Sequence, residues 1–157
     1  MEIKNHTALA VTYFMAYVKV MIHAVWGTKN RYPFLTKDVS TIVLEHIRKN
    51  AIEKGIFIDT IGGFTDHVHC LFGLNADMAI SKALQLIKGE SAFWINSNAV
   101  TKTKFEWADE YFASSVSESI LPVVREYIRN QEEHHSKKTS AEEYDSFIKE
   151  YHLHHHV

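Results

Sequence analysis

In the segment YVKVMIHAVWGT, Val18, Val20, Ile22, Ala24 and Trp26 fall at every second position, and that period of two commits the segment to a β-strand with one apolar face. The rest of the chain has to cover that face. A helix-period segment follows: Thr36 can cap it, Val39, Val43 and Ile47 recur every four residues with Ile42 beside them, and Gly55 stands where a helix end wants a left-handed residue. IFIDTIGGF, weakened by Gly62 and Gly63, and HVHCLFGL read as two further strands joined by a turn near Thr65 and Asp66. Asp77 can cap a second helix carrying Ile80, Leu84, Ile87, Ser91 and Trp94; a polar stretch then leads to an extended segment over residues 105–115.

The run SVSESILPVVREYIRNQEEHH reads as a helix capped by Ser119, with Pro122 in the first turn where a missing N–H costs little. Ser140 and Glu143 form a capping box that opens a terminal helix through Tyr144, Phe147 and Ile148. The order β-α-β-β-α-β followed by helices is the split βαβ, ferredoxin-like pattern of the α+β class. It predicts an antiparallel sheet with two helices on one face, leaving the other for a site and the additional C-terminal helices.

At 157 residues, 46% of them apolar and 23% charged, the chain suits one globular domain. Its single cysteine, Cys70, excludes an intrachain disulfide and fits a reducing, cytoplasmic setting. No apolar run approaches the ~20 residues of a membrane span. Residues 1–15 read as an extension before the first strand rather than a signal peptide. The net charge of −2 argues mildly against a nucleic-acid partner, but its distribution does not. Residues 16–104 hold 11 Lys/Arg against 7 Asp/Glu, a net of +4, and residues 105–157 hold 5 against 11, a net of −6. A DNA-contacting surface is therefore expected on the first two thirds.

Two pairs of residues could carry chemistry. His67 and His69 sit at i and i+2 of a strand, so both imidazoles project from one face while Val68, Cys70 and Phe72 point to the other. Side by side they can chelate a divalent cation that wants a third ligand from elsewhere. In a chain with 11 histidines, His-x-His alone is a weak signal, as His134-His135 and the terminal HLHHH illustrate. Tyr127 and Gln131 lie four residues apart, so on a helix they share a face. A phenol with pKa ~10 is a poor nucleophile unless a cation polarises its target, and an amide oxygen from Gln131 could fix the tyrosine relative to that cation. Alone, the pair reads better as a half-buried helix tyrosine and a solvated glutamine.

The segments YVKVMIHAVWGTKNRYPFL, DHVHCLFGL, LQLIKGESAFWIN, FEWADEYFASSVSES and VVREYIRNQEEHH, in that order and spacing, resemble the single-tyrosine HUH transposases of the smallest insertion sequences. These include the tyrosine transposases associated with repetitive extragenic palindromes. The resemblance covers residues 16–151, which would be the HUH transposase domain, with residues 152–157 a His-rich tail. It implies an HUH endonuclease with the metal-ligating histidines at His67 and His69, the third ligand at Gln131 and the nucleophile at Tyr127. It also implies Mg²⁺ or Mn²⁺, a single-stranded DNA hairpin as substrate, a 5′-phosphotyrosine intermediate, and a homodimer whose sites can be completed in trans.

Lys19, Lys29, Arg31, Lys82, Lys88, Lys102 and Lys104 are the candidates for DNA-phosphate contacts. Trp26, Phe64 and Trp94 could stack bases, although core packing explains them better, and His23 could lie near the site or simply pack. Two other classes compete. A non-catalytic ferredoxin-like nucleic-acid-binding module would expose aromatics across its sheet and have no need of Tyr127. A metal-dependent hydrolase using water would leave the Tyr127–Gln131 spacing unexplained. A host-retained DNA-processing nuclease of the same family would carry the same residues.

Overall fold

The computed structural model describes residues 17–131, with Glu142, Ser146 and Lys149 as further helical positions. The extension 1–15, the capping box at Ser140 and Glu143, the helix through Tyr144, Phe147 and Ile148, and the tail 152–157 lie outside the described residues. Four strands form one sheet: β1 (Met21–Thr28), β2 (Phe57–Phe64), β3 (His67–Gly73) and β4 (Trp107–Val116). Helix α1 (Lys37–Glu53) joins β1 to β2, α2 (Ile80–Ser97) joins β3 to β4, and α3 (Leu121–Arg129) follows β4. Sheet order is β2-β3-β1-β4 and every neighbouring pair is antiparallel. Strands β1 and β2 therefore run the same way with β3 between them, and β3 and β4 do so with β1 between them. These are two interlocked split βαβ units, the expected ferredoxin-like arrangement.

The main core lies between the sheet and the first two helices. Ile22, Ala24 and Trp26 of β1 and Val68, Cys70 and Phe72 of β3 meet Val43, Ile47 and Ala51 of α1 and Ala83, Leu84, Ile87 and Ile95 of α2. The alternation seen in the sequence is this face. Gly55 takes the left-handed conformation, φ 70°, and ends α1 in a Schellman turn: its N–H donates to Ile52 O and that of Ile56 to Ala51 O.

Some boundaries differ from expectation. Residues 17–20 are not strand, and Val18 and Val20 are exposed, because Met21 already pairs with the last residues of both neighbours, Gly73 and Val116. Asp77 does not cap α2. A turn closed by Met78 N–H to Asn75 O intervenes, and Ala79 takes the cap position. Nor does Ser119 cap α3: it lies in a 3-10 turn, Glu118–Ile120, that precedes the helix, while Pro122 does fall in the first turn of α3. Gly62 and Gly63, read as weakening their strand, both lie within β2. A Cβ on Gly62 would stand 2.5 Å from Ile128 O, so the missing side chain lets α3 rest directly on the sheet.

Among the described residues, no helix is long and apolar enough to cross a membrane. The second sheet face carries a smaller core, in which Leu71 packs against Leu121, Val124 and Ile128 of α3. Each such buried aliphatic contributes about 1.5–3 kcal/mol, enough to seat a short helix.

Candidate active site

Strand β3 turns His67 and His69 onto the α3 side of the sheet, with ring centroids 5.1 Å apart and planes at 72°. Both are buried, at 3% and 4% exposure. His67 is held from behind: its Nδ1 donates to Asp66 Oδ1 at 2.7 Å. Oδ2 of the same carboxylate accepts from Arg31 Nε at 3.0 Å. Burial alone would raise the Asp66 carboxyl, but the His67 hydrogen bond and the Arg31 charge outweigh it and hold it below the usual carboxylate range. Arg31 reaches this position from a turn in which Asn30 and Arg31 both have positive φ, 56° and 57°, a conformation that costs a non-glycine residue about 1–3 kcal/mol.

Gln131 follows Asn130, which caps the end of α3, and its own backbone is helical again. It is nonetheless buried, at 1% exposure. Its Nε2 donates to Tyr127 O at 3.2 Å, and that bond turns Oε1 toward His67 Nε2, 3.3 Å away. With the His67 proton on Nδ1, a neutral ring offers a lone pair at Nε2. Two acceptors then face each other, a repulsive arrangement unless positive charge lies between them. The donors thus suit a cation: two imidazoles and an amide oxygen. Among the described residues no three His, Cys, Asp or Glu side chains converge in this way, and Gln131 is the further oxygen donor beside the two imidazoles.

Tyr127 is half-buried on α3, its ring 5.4 Å from that of His69 at 74° and 6.4 Å from that of His23 at 68°. Within its own chain the ring meets His69 and His23. His23 of β1 is 1% exposed, and its Nε2 stands 3.0 Å from His69 Nδ1. Burial pushes its pKa down to about 4, so the ring is neutral at physiological pH. Arg125 anchors α3 to β2 through a two-pronged bond, Nε to Asp59 Oδ1 at 2.8 Å and NH2 to Asp59 Oδ2 at 2.7 Å.

The structure therefore brings together His67, His69, Tyr127 and Gln131. It does not bring the DNA candidates together. Only Arg31 joins the site, through Asp66. Lys19 pairs with Glu118 at 2.6 Å, while Lys29 and Lys104 share Glu106 at 3.3 and 3.6 Å. Lys82 and Lys88 lie on α2, across the sheet from the histidines, and Lys102 is exposed in the loop after it. Trp26 is a core residue packed edge-on against Trp107, and Trp94 stacks on His46 at 3.9 Å. Sequence reading treated Asp66 as a turn residue and did not single out Asp59 or Arg125. An acidic residue directly before a His-x-His strand was the available signal for Asp66. Nothing local marked the other two.

The ferredoxin-like sheet, with paired imidazoles and a helix tyrosine packed on one face, is shared with known proteins that supply its class. The profile of the IS200-like transposases matches residues 16–131, and the chain belongs to that family. It is 25% identical over 114 residues to the ISDra2 transposase TnpA of Deinococcus radiodurans, covering 69% of this chain and 81% of the relative. The crystal structure of a candidate transposase from Deinococcus radiodurans R1 superposes with a TM-score of 0.60 at 27% identity, covering 74% of this chain and 95% of that one. The structure of a REP-associated tyrosine transposase bound to a REP hairpin has the same fold, with a TM-score of 0.58 at 17% identity over 78% of this chain and 73% of that one. At the level of the family, this is a transposase that cleaves and transfers DNA.

Proposed function

We propose that the chain cleaves and rejoins single DNA strands through a 5′-phosphotyrosine on Tyr127, at a divalent cation held by His67, His69 and Gln131. The observation that carries this reading is the convergence, on one sheet face, of the Tyr127 ring, both imidazoles and the Gln131 amide oxygen. Tyr127 Oη attacks phosphorus, the Tyr–O–P bond forms, the P–O3′ bond breaks, and the phenol proton leaves as the 3′-hydroxyl is released. The ester keeps the phosphodiester's energy, so a 3′-hydroxyl from another end reverses the step without a nucleotide triphosphate. A bound Mg²⁺ or Mn²⁺ would polarise the phosphate and stabilise charge developing on it. Gln131 ties the tyrosine backbone to the ligand set, and Asp66 keeps the His67 lone pair turned outward.

The substrate in this reading is single-stranded DNA folded into a hairpin, and the working form is a homodimer. Support for the hairpin comes from the fold shared with the hairpin-bound neighbour. A non-catalytic binding module fits less well, because this face presents imidazoles under α3 rather than a field of exposed aromatics. The test is incubation with pooled single-stranded hairpins and Mn²⁺, followed by a denaturing gel. The native chain is expected to give a covalent adduct and Tyr127→Phe none, with hairpin binding retained. An adduct that survives the substitution removes Tyr127 from the role.

A further inference from the structure

His23 is the one buried polar side chain of β1 on the site face whose presence neither the cation set nor the nucleophile accounts for. In the antiparallel register Val25 is opposite His69 and His23 is opposite Leu71, which makes His23 and His69 diagonal neighbours on one face. That diagonal spans ~7–8 Å between backbones, within reach of two rings that lean together. They meet nitrogen to nitrogen at 3.0 Å, with ring centroids 5.2 Å apart. A ring that both contacts a candidate ligand and abuts the tyrosine has a lever on each.

The geometry points to His23 as a positioning residue for His69, accepting the His69 Nδ1 proton at its own Nε2 so that His69 Nε2 keeps its lone pair for the cation. A neutral imidazole has one donor and one acceptor nitrogen. If the proton of the pair sat instead on His23 Nε2, His69 would be protonated at Nε2 and could not ligate through that atom. The two ligands would then be oriented by different means: His67 by a carboxylate at Nδ1, His69 by a second imidazole at Nδ1. An imidazole acceptor adds no charge beside His69, whereas Asp66 places a carboxylate beside His67. Groups in this position typically alter metal affinity by about 10–100-fold.

This inference rests on the cation site proposed above, and the experiment separates the two. Mn²⁺ affinity is measured on the full chain by electron paramagnetic resonance, without DNA, for the native protein, His69→Ala, His23→Phe and His23→Gln. Phenylalanine keeps the ring volume without an acceptor, while glutamine puts an amide oxygen near the former Nε2. Circular dichroism melts verify that each variant is folded. His23→Phe is expected to bind Mn²⁺ about tenfold or more weakly and His23→Gln to recover to within about threefold. Single-turnover adduct formation at saturating Mn²⁺ should be restored to near the native rate in His23→Gln.

A folded His23→Phe with native affinity, alongside a weakened His69→Ala, overturns the role of His23 alone. Native affinity in both overturns the cation site and this inference with it. Equal weakening by phenylalanine and glutamine would show packing rather than acceptance of a proton. Spin-echo modulation counts the ligating nitrogens: two imidazoles in the native protein support a positioning role, and three would make His23 a ligand and overturn it.

Discussion

Asp66 and Gln131 decide what His67 can do. The carboxylate takes the Nδ1 proton and the amide oxygen faces Nε2, an arrangement that suits the cation proposed above when the ring is neutral. His67→Ala or His69→Ala is accordingly expected to slow strand cleavage at least ~100-fold, the scale of losing charge stabilisation at a transition state. Near-native cleavage in both variants, read on the same denaturing gel, would reject the cation assignment. Asp66→Asn should weaken Mn²⁺ binding by about tenfold or more, because the amide is a poorer acceptor for the Nδ1 proton. Titration of Mn²⁺ by electron paramagnetic resonance checks it, and unchanged affinity would sink the role assigned to the carboxylate.

Helix α3 is short, nine residues, and it owes its position to β2 as much as to its own sequence. Leu121, Val124 and Ile128 seat it on Leu71, Arg125 clamps it to Asp59, and Gly62 lets Ile128 approach. Gly62→Ala places a methyl against a backbone oxygen and should destabilise the fold by about 1–3 kcal/mol, the usual cost of overpacking. Because Ile128 is next to Tyr127, adduct formation should slow as well. A thermal melt and a single-turnover assay read the two effects, and a variant native in both would show that α3 does not depend on this close approach. The Arg125 hydrogen bonds hold the Asp59 carboxyl below its ordinary value, burial acting against them. A depressed folded-state pKa stabilises the fold above the ordinary carboxylate range, and that contribution fades as pH falls through the folded value. The native protein should therefore lose more stability on acidification below about pH 4 than Asp59→Asn does, compared by denaturant melts at pH 7 and pH 3. Parallel losses in the two proteins would show that the pair is not coupled to folding.

At the scale of the whole molecule, the proposed homodimer allows Tyr127 to serve either its own histidines or those of a partner. Within one chain the tyrosine ring already lies against its own His69. Mixing Tyr127→Phe with His67→Ala subunits should consequently give no cleavage, since neither chain holds a whole site. Recovery of adduct in the mixture would assign the tyrosine to the partner's site. Charge is also a property of the whole surface. The first two thirds of the sequence carry the basic excess, yet Lys19, Lys29, Arg31 and Lys104 each have an acidic partner in the folded chain, which reduces the unpaired positive surface available to a phosphate backbone.

The sheet order was legible in the sequence because period-two and period-four patterning are local, and a β-α-β-β-α-β order with short connections has few antiparallel solutions. The same local rule placed His67 and His69 on one face, and four-residue spacing brought Tyr127 and Gln131 near one another even though Gln131 falls past the end of α3. Only tertiary structure could bring His23 to His69 across 46 residues, Gln131 to His67 across 64, and Arg125 to Asp59 across 66. Those contacts depend on strand register and on where a helix comes to rest after a crossover, and no repeat along the chain encodes either.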